Sequence, residues 1–297
     1  MYYKHIGIST NVLHNPRNIL ETVSYLGQHF SVIELEFEHG ARNMLDAGAG
    51  EIEFTIAQLN RLRKSENIHF SVHAPYIGAD CDLAAEDEQV RQVSCQLLRR
   101  VINLSARFGV ERVTYHPGYI GSLSTDRAIA NIERSLELLV PEAAALGISL
   151  CMENTGAERP SYQLLSPKQY LTLCQQTGTY LTLDLVHHAS LFSYENQLTD
   201  EFFLTLEEML PFVKNVHFAD LEIPKHSHLP IGRGNLPVLQ LINYLGDRNY
   251  QGNAIIEETG GGYTTDEFVT AARDFRDRCR KQLIESKQMN SYAGVVV

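Results

Sequence analysis

Hydrophobic and polar positions follow two alternating rhythms along this chain. Short runs rich in apolar and β-branched residues read as strands: HIGIS near 5–9, SVIELEF near 31–37, HFSVHA near 69–74, RVTYH near 112–116, ISLCME near 148–153, YLTLDL near 180–185, KNVHF near 214–218 and NAIIEE near 253–258. Helical spacing fills the intervals. Asn15-Pro16 opens a first helix, with Asn as cap and Pro at the first helical position, and Ile19, Val23 and Leu26 mark its apolar face. Val90, Val93, Leu97, Val101, Leu104 and Phe108 mark another over 86–108, stopped by Gly109. A helix over 125–146 carries Pro141 as an expected kink, and Ser166-Pro167 opens one that Gly178 closes. Thr199-Asp200 and Thr265-Asp266 cap two more, LPVLQLINYL makes another, and a weaker one spans 54–65. Eight strand–helix alternations predict a parallel sheet closed on itself, the α/β class (β/α)8 TIM barrel. The barrel is expected over 1–287, with QMNSYAGVVV as a tail over 288–297.

Composition agrees with one large unit. The chain has 297 residues, 44% hydrophobic and 21% charged, enough for a sizeable core. A net charge of −11 argues against non-specific adhesion to nucleic acid or an anionic membrane. Cys81, Cys95, Cys151, Cys174 and Cys279 are odd in number and scattered, with no C-x-x-C, which fits a reducing compartment. MYYKHIGIST has no basic segment before a long apolar run, and no stretch is apolar enough to cross a membrane. These features predict a soluble cytoplasmic protein without a membrane partner.

Barrel strands are buried on both sides and should read apolar, yet the third to eighth each end on a metal-capable residue. These are His73, His116, Glu153, Asp184, His217, and Glu257 or Glu258. The strand C-termini of a parallel barrel converge on one rim, so six ligand-type side chains would share one cavity. Asp184 and His187 form D-x-x-H running off the sixth strand into its loop. His226 and His228 sit one residue apart in the loop after the seventh, where an extended backbone puts both on one side. The LPIGRGN that follows is too short for a helix, and its glycines allow close approach to the rim. His5, His14, His29, His39 and His69 lack such support and read as structural, and His188 should face away from its neighbour. Burial favours Glu257 as the inward glutamate, because an inward Glu258 would aim Glu257 at the helix layer; both are kept, Glu257 first.

At these residues the chain resembles the xylose isomerase-like TIM barrels, the superfamily of sugar isomerases and epimerases and of endonuclease IV. The motifs are VHAPY (72–76), YHPG (115–118), MENTG (152–156), LDLVH (183–187), VHFAD (216–220), HLPIGRGN (228–235) and YQGNAIIEE (250–258). The resemblance implies that Glu153, Asp184, His217 and Glu257 hold a divalent metal. In endonuclease IV a larger set, matching also His73, His116, His187, His226 and His228, holds three zinc ions. The 226 position is Asp there and His here, and the patterned stretch after D-x-x-H is replaced by HASLFSYENQ.

Two enzyme classes follow from the resemblance. In an isomerase or epimerase, one Zn2+ or Mn2+ polarises a small polyol or keto-sugar, and Glu153 and Glu257 exchange the carbon-bound proton. Tyr76, Asn154, Arg233, Glu258 and Glu36 are its candidate substrate contacts, Arg233 for an anion. In a phosphodiesterase, two or three zinc ions with Glu153 as a bridge cleave duplex DNA or a smaller phosphoester. DNA would need basic rim loops and an aromatic wedge. Tyr76 and Tyr119 are present, but RLRK at 61–64 and RR at 99–100 fall within helices. A third class is a metal-binding barrel with a closed, non-catalytic shell. Net charge, the missing basic loops and the two departures from endonuclease IV favour the isomerase or epimerase.

Overall fold

The computed structural model describes residues 6–13, 19–37, 43–119, 124–156, 165–195, 197–222 and 226–293. Eight parallel strands close into a barrel: β1 (Ile6–Ser9), β2 (Val32–Glu36), β3 (His69–His73), β4 (Arg112–Tyr115), β5 (Ser149–Glu153), β6 (Tyr180–Asp184), β7 (Val213–Phe218) and β8 (Asn253–Ile256). Each pairs with its neighbours in sequence order, and β8 returns to β1 with Ile6, Gly7 and Ile8 opposite Ala254, Ile255 and Ile256. The predicted TIM barrel is therefore the observed fold. Gly7 is required where β1 meets β2, because a Cβ there would lie 2.7 Å from the Val32 carbonyl oxygen.

The outer layer forms where the sequence signals place it. Helices α1 (Ile19–Gly27), α2 (Asn43–Asp46) and α3 (Ala49–Ser65) precede β3, and α4 (Glu88–Ala106) and α5 (Thr125–Ala145) follow β3 and β4. Next come α6 (Pro167–Thr177), α7 (Leu185–Leu191), α8 (Asp200–Met209), α9 (Val238–Asp247) and α10 (Thr265–Ala293). The Asp87 carboxylate caps α4 by accepting from the Gln89 and Val90 amides at 2.7 and 3.3 Å. Ser166 and Gln169 make a capping box on α6, and Gly178 ends it at φ +77°. Pro141 sits inside an unbroken α5, its ring on the exposed face. The Asn15-Pro16 start signal lies outside the described residues, and α10 continues through Ala293, into the stretch that reads as a tail.

Apart from the one-turn α2, three elements differ from the sequence expectation, all at the strand C-terminal rim. The segment after β6 is not a loop but α7, which starts on Asp184 itself. The chain after β7 folds into an antiparallel ribbon of Asp220–Glu222 with His226–Leu229, pairing Asp220 with Leu229 and Glu222 with His226. A second ribbon joins Ser193–Tyr194 to Gln197–Leu198. Ribbons of two or three residues leave too short an alternation to see in sequence.

The barrel interior is also more polar than a packed apolar core. Below the rim, Ser71, Thr114, Thr182, Asn215 and Glu34 are wholly buried and bonded to one another. Thr114 Oγ1 and Thr182 Oγ1 are 2.8 Å apart, and Asn215 Nδ2 donates to Thr114 Oγ1 at 3.2 Å and to Glu34 Oε2 at 2.9 Å. Outside the strands, apolar side chains of all the barrel helices make the core, Phe202, Phe268 and Phe275 among its largest members. All five cysteines are free and buried. No helix among the described residues is long and apolar enough to cross a membrane.

His188 does face away from its neighbour. It packs on Phe192 and Phe202, ring centroids 4.8 Å away in each case, and its Nε2 donates to the Phe202 carbonyl at 3.2 Å. Burial pushes its pKa from 6.5 down to about 4. The unfolded chain takes this proton below pH 6.5 and the folded chain only near 4, so stability is lost as pH falls through that window. In urea denaturation with EDTA, His188→Gln should lose about 2–3 kcal/mol less than the parent between pH 7 and 4.5. Equal losses in the two proteins would show that His188 does not carry this acid sensitivity.

Candidate metal centre

The strand ends project one inward residue each at the rim, and Glu153 at the end of β5 is the hub. Its Oε2 lies 2.9 Å from His73 Nε2 and 3.3 Å from His116 Nε2, and its Oε1 lies 3.4 Å from His217 Nδ1. His187 Nδ1 is 3.5 Å from the same Oε1. Glu257, one residue past β8, places Oε2 2.8 Å from His217 Nδ1, and Asn11 Nδ2 donates to its Oε1 at 3.4 Å. Potential ligand atoms fall into three groups, each within 4.8 Å: His73, His116 and Glu153; Asp184, His187 and His228; Glu153, Asp184, His217 and Glu257. Every member is buried.

Backbone carbonyls set the histidine tautomers. A carbonyl only accepts, so a ring nitrogen bonded to it must carry hydrogen. His73 Nδ1 donates to Ala74 at 2.8 Å, His187 Nδ1 to Asn154 at 2.7 Å and His228 Nδ1 to Glu257 at 2.9 Å. In the neutral ring each Nε2 then presents a lone pair, the arrangement that orients a metal-ligating histidine. The Nε2 atoms of His187 and His228 face each other at 3.2 Å. Two lone pairs at that distance repel without a cation between them. Nitrogens on a tetrahedral zinc, about 2.0–2.1 Å from the ion, would be separated by roughly this distance.

Local structure makes this geometry. The Asp184 Oδ1 accepts from the His187 amide at 2.7 Å, so the cap of α7 fixes both members of D-x-x-H. Asn154 donates from Nδ2 to the Asp184 carbonyl at 3.0 Å and accepts at Oδ1 from the Asp184 amide at 2.7 Å. Both ends of its side chain thus hold backbone, which leaves it a clamp between β5 and β6 rather than a cavity contact. His228 adopts φ +54°, a left-handed conformation, and its carbonyl accepts from the Thr259 and Gly260 amides at 2.9 and 2.8 Å. Such backbone strain, of order 1–3 kcal/mol, persists only where several bonds enforce it. The side chain of His226 is outside the described residues.

The charges are strongly coupled. Burial opposes ionisation of Glu153, but His217 and His116 outweigh it and hold the carboxyl well below the usual range. Burial likewise opposes charge on His73, yet Glu36 and Glu153 push it up to about 10. His217 rises well above its ordinary value against burial, through Glu34, Glu153 and Glu257. Burial lowers His116 and raises Asp184. Asp184 Oδ2, His217 Nδ1 and Glu257 Oε2 are buried and make no hydrogen bond of good geometry among the described residues, the last two meeting only as an ion pair at 2.8 Å. An unsatisfied buried polar atom costs about 1–3 kcal/mol, more when charged. Three such atoms in one four-residue group fit a divalent cation.

Glu257 and Glu258 diverge. Glu258 turns away from the cluster and accepts from the Ile231 amide at 2.8 Å, and burial pushes its carboxyl up to about 8. Asp220 supports the same loop, accepting from the Leu221 and Leu236 amides at Oδ1 and from Gly232 at Oδ2. Gly234 packs on it, since a Cβ there would lie 2.5 Å from Asp220 Oδ1. Arg233 is exposed, 5.8 Å above the Tyr263 ring, on a concave surface shared with α10. It does not line the space above the cluster. Tyr76 does, its ring stacked on His116 at 4.8 Å. Glu36 is buried 3.5 Å from His73 Nδ1, and burial raises it to about 8. That space, a narrow cavity of about 20 Å³, is bordered by Tyr76, His116, Glu153, His187, His228, Glu257 and Thr259.

Sequence reading left Glu34 without a role and passed over Asn215 and Ser71. Glu34 Oε1 lies 2.5 Å from His217 Nε2, and its Oε2 accepts from Ser71 and Asn215. Asn215 stands two residues before His217 and Glu34 two before Glu36, the period-two spacing of one strand face. That spacing was the available signal.

Comparison with known proteins agrees with this architecture. The chain is 26% identical over 190 residues to a probable endonuclease 4 of Aquifex aeolicus, covering 60% of this chain and 66% of that protein. It is 23% identical over 237 residues to an uncharacterized protein of Methanocaldococcus jannaschii, covering 78% and 83%. Among solved structures, a D-tagatose 3-epimerase-like protein superposes with TM-score 0.75 at 21% identity, covering 95% of this chain and 99% of that one. An AP endonuclease, family 2, from Brucella melitensis gives 0.69 at 15%, covering 89% and 96%. At these identities the superpositions speak for the fold alone. The sequence pattern of one family matches residues 21–279, most of the chain, and the protein therefore belongs to the xylose isomerase-like TIM barrels.

Proposed function

We propose that this protein is a divalent-metal-dependent isomerase or epimerase that moves a carbon-bound proton next to the carbonyl of a small polyol or keto-sugar. The observation that carries the reading is the space over the cluster. It is bordered by two carboxylates, three histidines, a tyrosine and a threonine, with no lysine or arginine among the described residues around it. Such a lining suits hydroxyl groups and offers an anion no fixed cation. The epimerase names among the solved relatives support the same class.

Glu153, Asp184, His217 and Glu257 would hold the ion, which would supply Lewis acidity toward the substrate oxygens. Glu153 and Glu257 both border the space, from strands three places apart around the barrel. One would take the carbon-bound proton and the other return it. His187 and His228, each with Nδ1 committed to backbone, border the same space. Tyr76 closes one wall through its stack on His116.

A second reading, zinc-dependent phosphoester hydrolysis, is favoured by one specific observation. Beyond the four-residue group, His73 with His116 and His187 with His228 complete two further ligand groups through Glu153 and Asp184. Two or three ions would supply the positive charge that the lining lacks. The endonuclease name of the Aquifex aeolicus relative supports this class.

Two measurements separate the readings. Metals per chain should be counted in the parent and in His228→Ala. One ion per chain, kept by the variant, together with deuterium uptake from D2O into a keto-sugar panel, is the expected result. Two or three zinc ions, one of them lost in His228→Ala, with hydrolysis of bis(p-nitrophenyl) phosphate and no deuterium uptake, would establish the second reading instead. The two adjacent glutamates also part in their effects. Glu257→Gln should weaken metal binding beyond the roughly 10–100-fold typical of losing an outer partner. Glu258→Gln should leave affinity unchanged, and equal losses would place Glu258 in the ligand set.

A further inference from the structure

We propose that Glu34, held by Ser71 and Asn215, is the positioning residue that aims His217 at the metal. The inference rests on the reading of His217 as a ligand. It starts from an asymmetry among the histidines. His73, His187 and His228 direct Nδ1 to a backbone carbonyl and Nε2 to the cluster. His217 is reversed: Nδ1 meets Glu153 and Glu257, and Nε2 points down the barrel axis side toward Glu34.

That direction explains why a carboxylate is present. Beneath the rim, the strands spend their carbonyls on the barrel ladder, and among the described residues no backbone carbonyl is bonded to His217 Nε2. A side chain must supply the acceptor, and Asn215, 3.1 Å from Nε2 on the same strand, turns only its donor Nδ2 toward the ring. Glu34 from β2 places Oε1 2.5 Å from His217 Nε2, and neither residue is exposed. Two unprotonated acceptors would not sit that close, which assigns the ring hydrogen to Nε2; Asn215 Nδ2, 3.1 Å from the same nitrogen, spends its two hydrogens on Glu34 and Thr114. Nδ1 is thereby the ring atom left to the cluster.

The carboxylate is itself fixed. Ser71 Oγ from β3 donates to Glu34 Oε2 at 2.8 Å, and Asn215 Nδ2 from β7 donates to the same oxygen at 2.9 Å. The Asn215 amide also reaches Thr114, whose hydroxyl is bonded to Thr182. Five strands thus share one network whose upper outlet is His217. A charged acceptor also makes the imidazole a stronger donor to a metal than a neutral carbonyl would.

The test is metal affinity by chelator competition, with zinc and manganese, on the folded full chain. Glu34→Gln keeps the shape and removes the charge, and should weaken binding about 10–100-fold. Ser71→Ala keeps the Glu34 charge and should weaken it less; it carries the test if Glu34→Gln does not fold. A spectroscopic readout accompanies both. In the zinc-loaded parent the His217 Nε2 proton should resonate far downfield and exchange slowly, and it should move upfield in Glu34→Gln and partly so in Ser71→Ala. Unchanged affinity and proton shift in a folded variant, with only a lower melting temperature, would reduce Glu34 to a structural role and overturn the proposal. His217→Ala is the control. If it too leaves affinity unchanged, the ligand reading of His217 fails; if it abolishes binding while Glu34→Gln does not, only the positioning role fails.

Discussion

Carboxylates cannot be stacked in a dry barrel mouth unless something positive holds them. Glu153, Asp184, Glu257, Glu36 and Glu34 are all buried within one end of this barrel, and the histidines interleaved with them are the only cationic groups in that layer among the described residues. Lone charges at such depth would be prohibitive, and paired ones are tolerated when geometry is good. The raised His73 and His217 and the lowered Glu153 are three expressions of this coupling. Protons can meet the requirement in the metal-free chain. A divalent cation meets it with fewer orphaned atoms, because Asp184 Oδ2, His217 Nδ1 and Glu257 Oε2 converge without hydrogen bonds of good geometry.

The secondary structure around the mouth serves to aim these groups. Asp184 ends β6 and caps α7, so one residue terminates a strand, starts a helix and enters the cluster. The Asp220–Glu222 and His226–Leu229 ribbon returns His228 to the rim, where Thr259 and Gly260 anchor its left-handed backbone. Asp220 and Glu258 then hold the following loop by its amides. A side chain on such a support loses little freedom when it binds, which is the physical meaning of a preorganised site.

Barrel enzymes divide between a rim that does chemistry and a body that confers stability. Here the division is blurred one layer down. Glu34, Ser71, Thr114, Thr182 and Asn215 replace apolar filling with a bonded network, and that network touches the site through His217. A buried polar layer is tolerable only when its members satisfy one another; here each of the five has a partner, and Asn215 Oδ1 and Glu34 Oε1 are the atoms of the layer left without a hydrogen bond of good geometry among the described residues, the latter meeting His217 as an ion pair.

Much of this protein was legible in its sequence. Eight alternations, capping signals such as Ser166-Pro167 and Gly178, and a ligand-type residue at the end of six strands determined the barrel, its direction and the rim on which the cluster lies. These follow from local rules: periodicity, caps, and the convergence of parallel strand ends. The tertiary structure decided what depends on contacts between distant strands. It separated Glu257 from Glu258, one aimed at His217 and the other at the Ile231 amide. It turned Asn154 into a backbone clamp and Arg233 toward α10, and it gave Glu34 a partner 183 positions away in the chain, from residue 34 to residue 217. Sequence carries the inward or outward parity of a side chain, but which neighbour it meets is set by register, closure and twist, and those exist only once the barrel is shut.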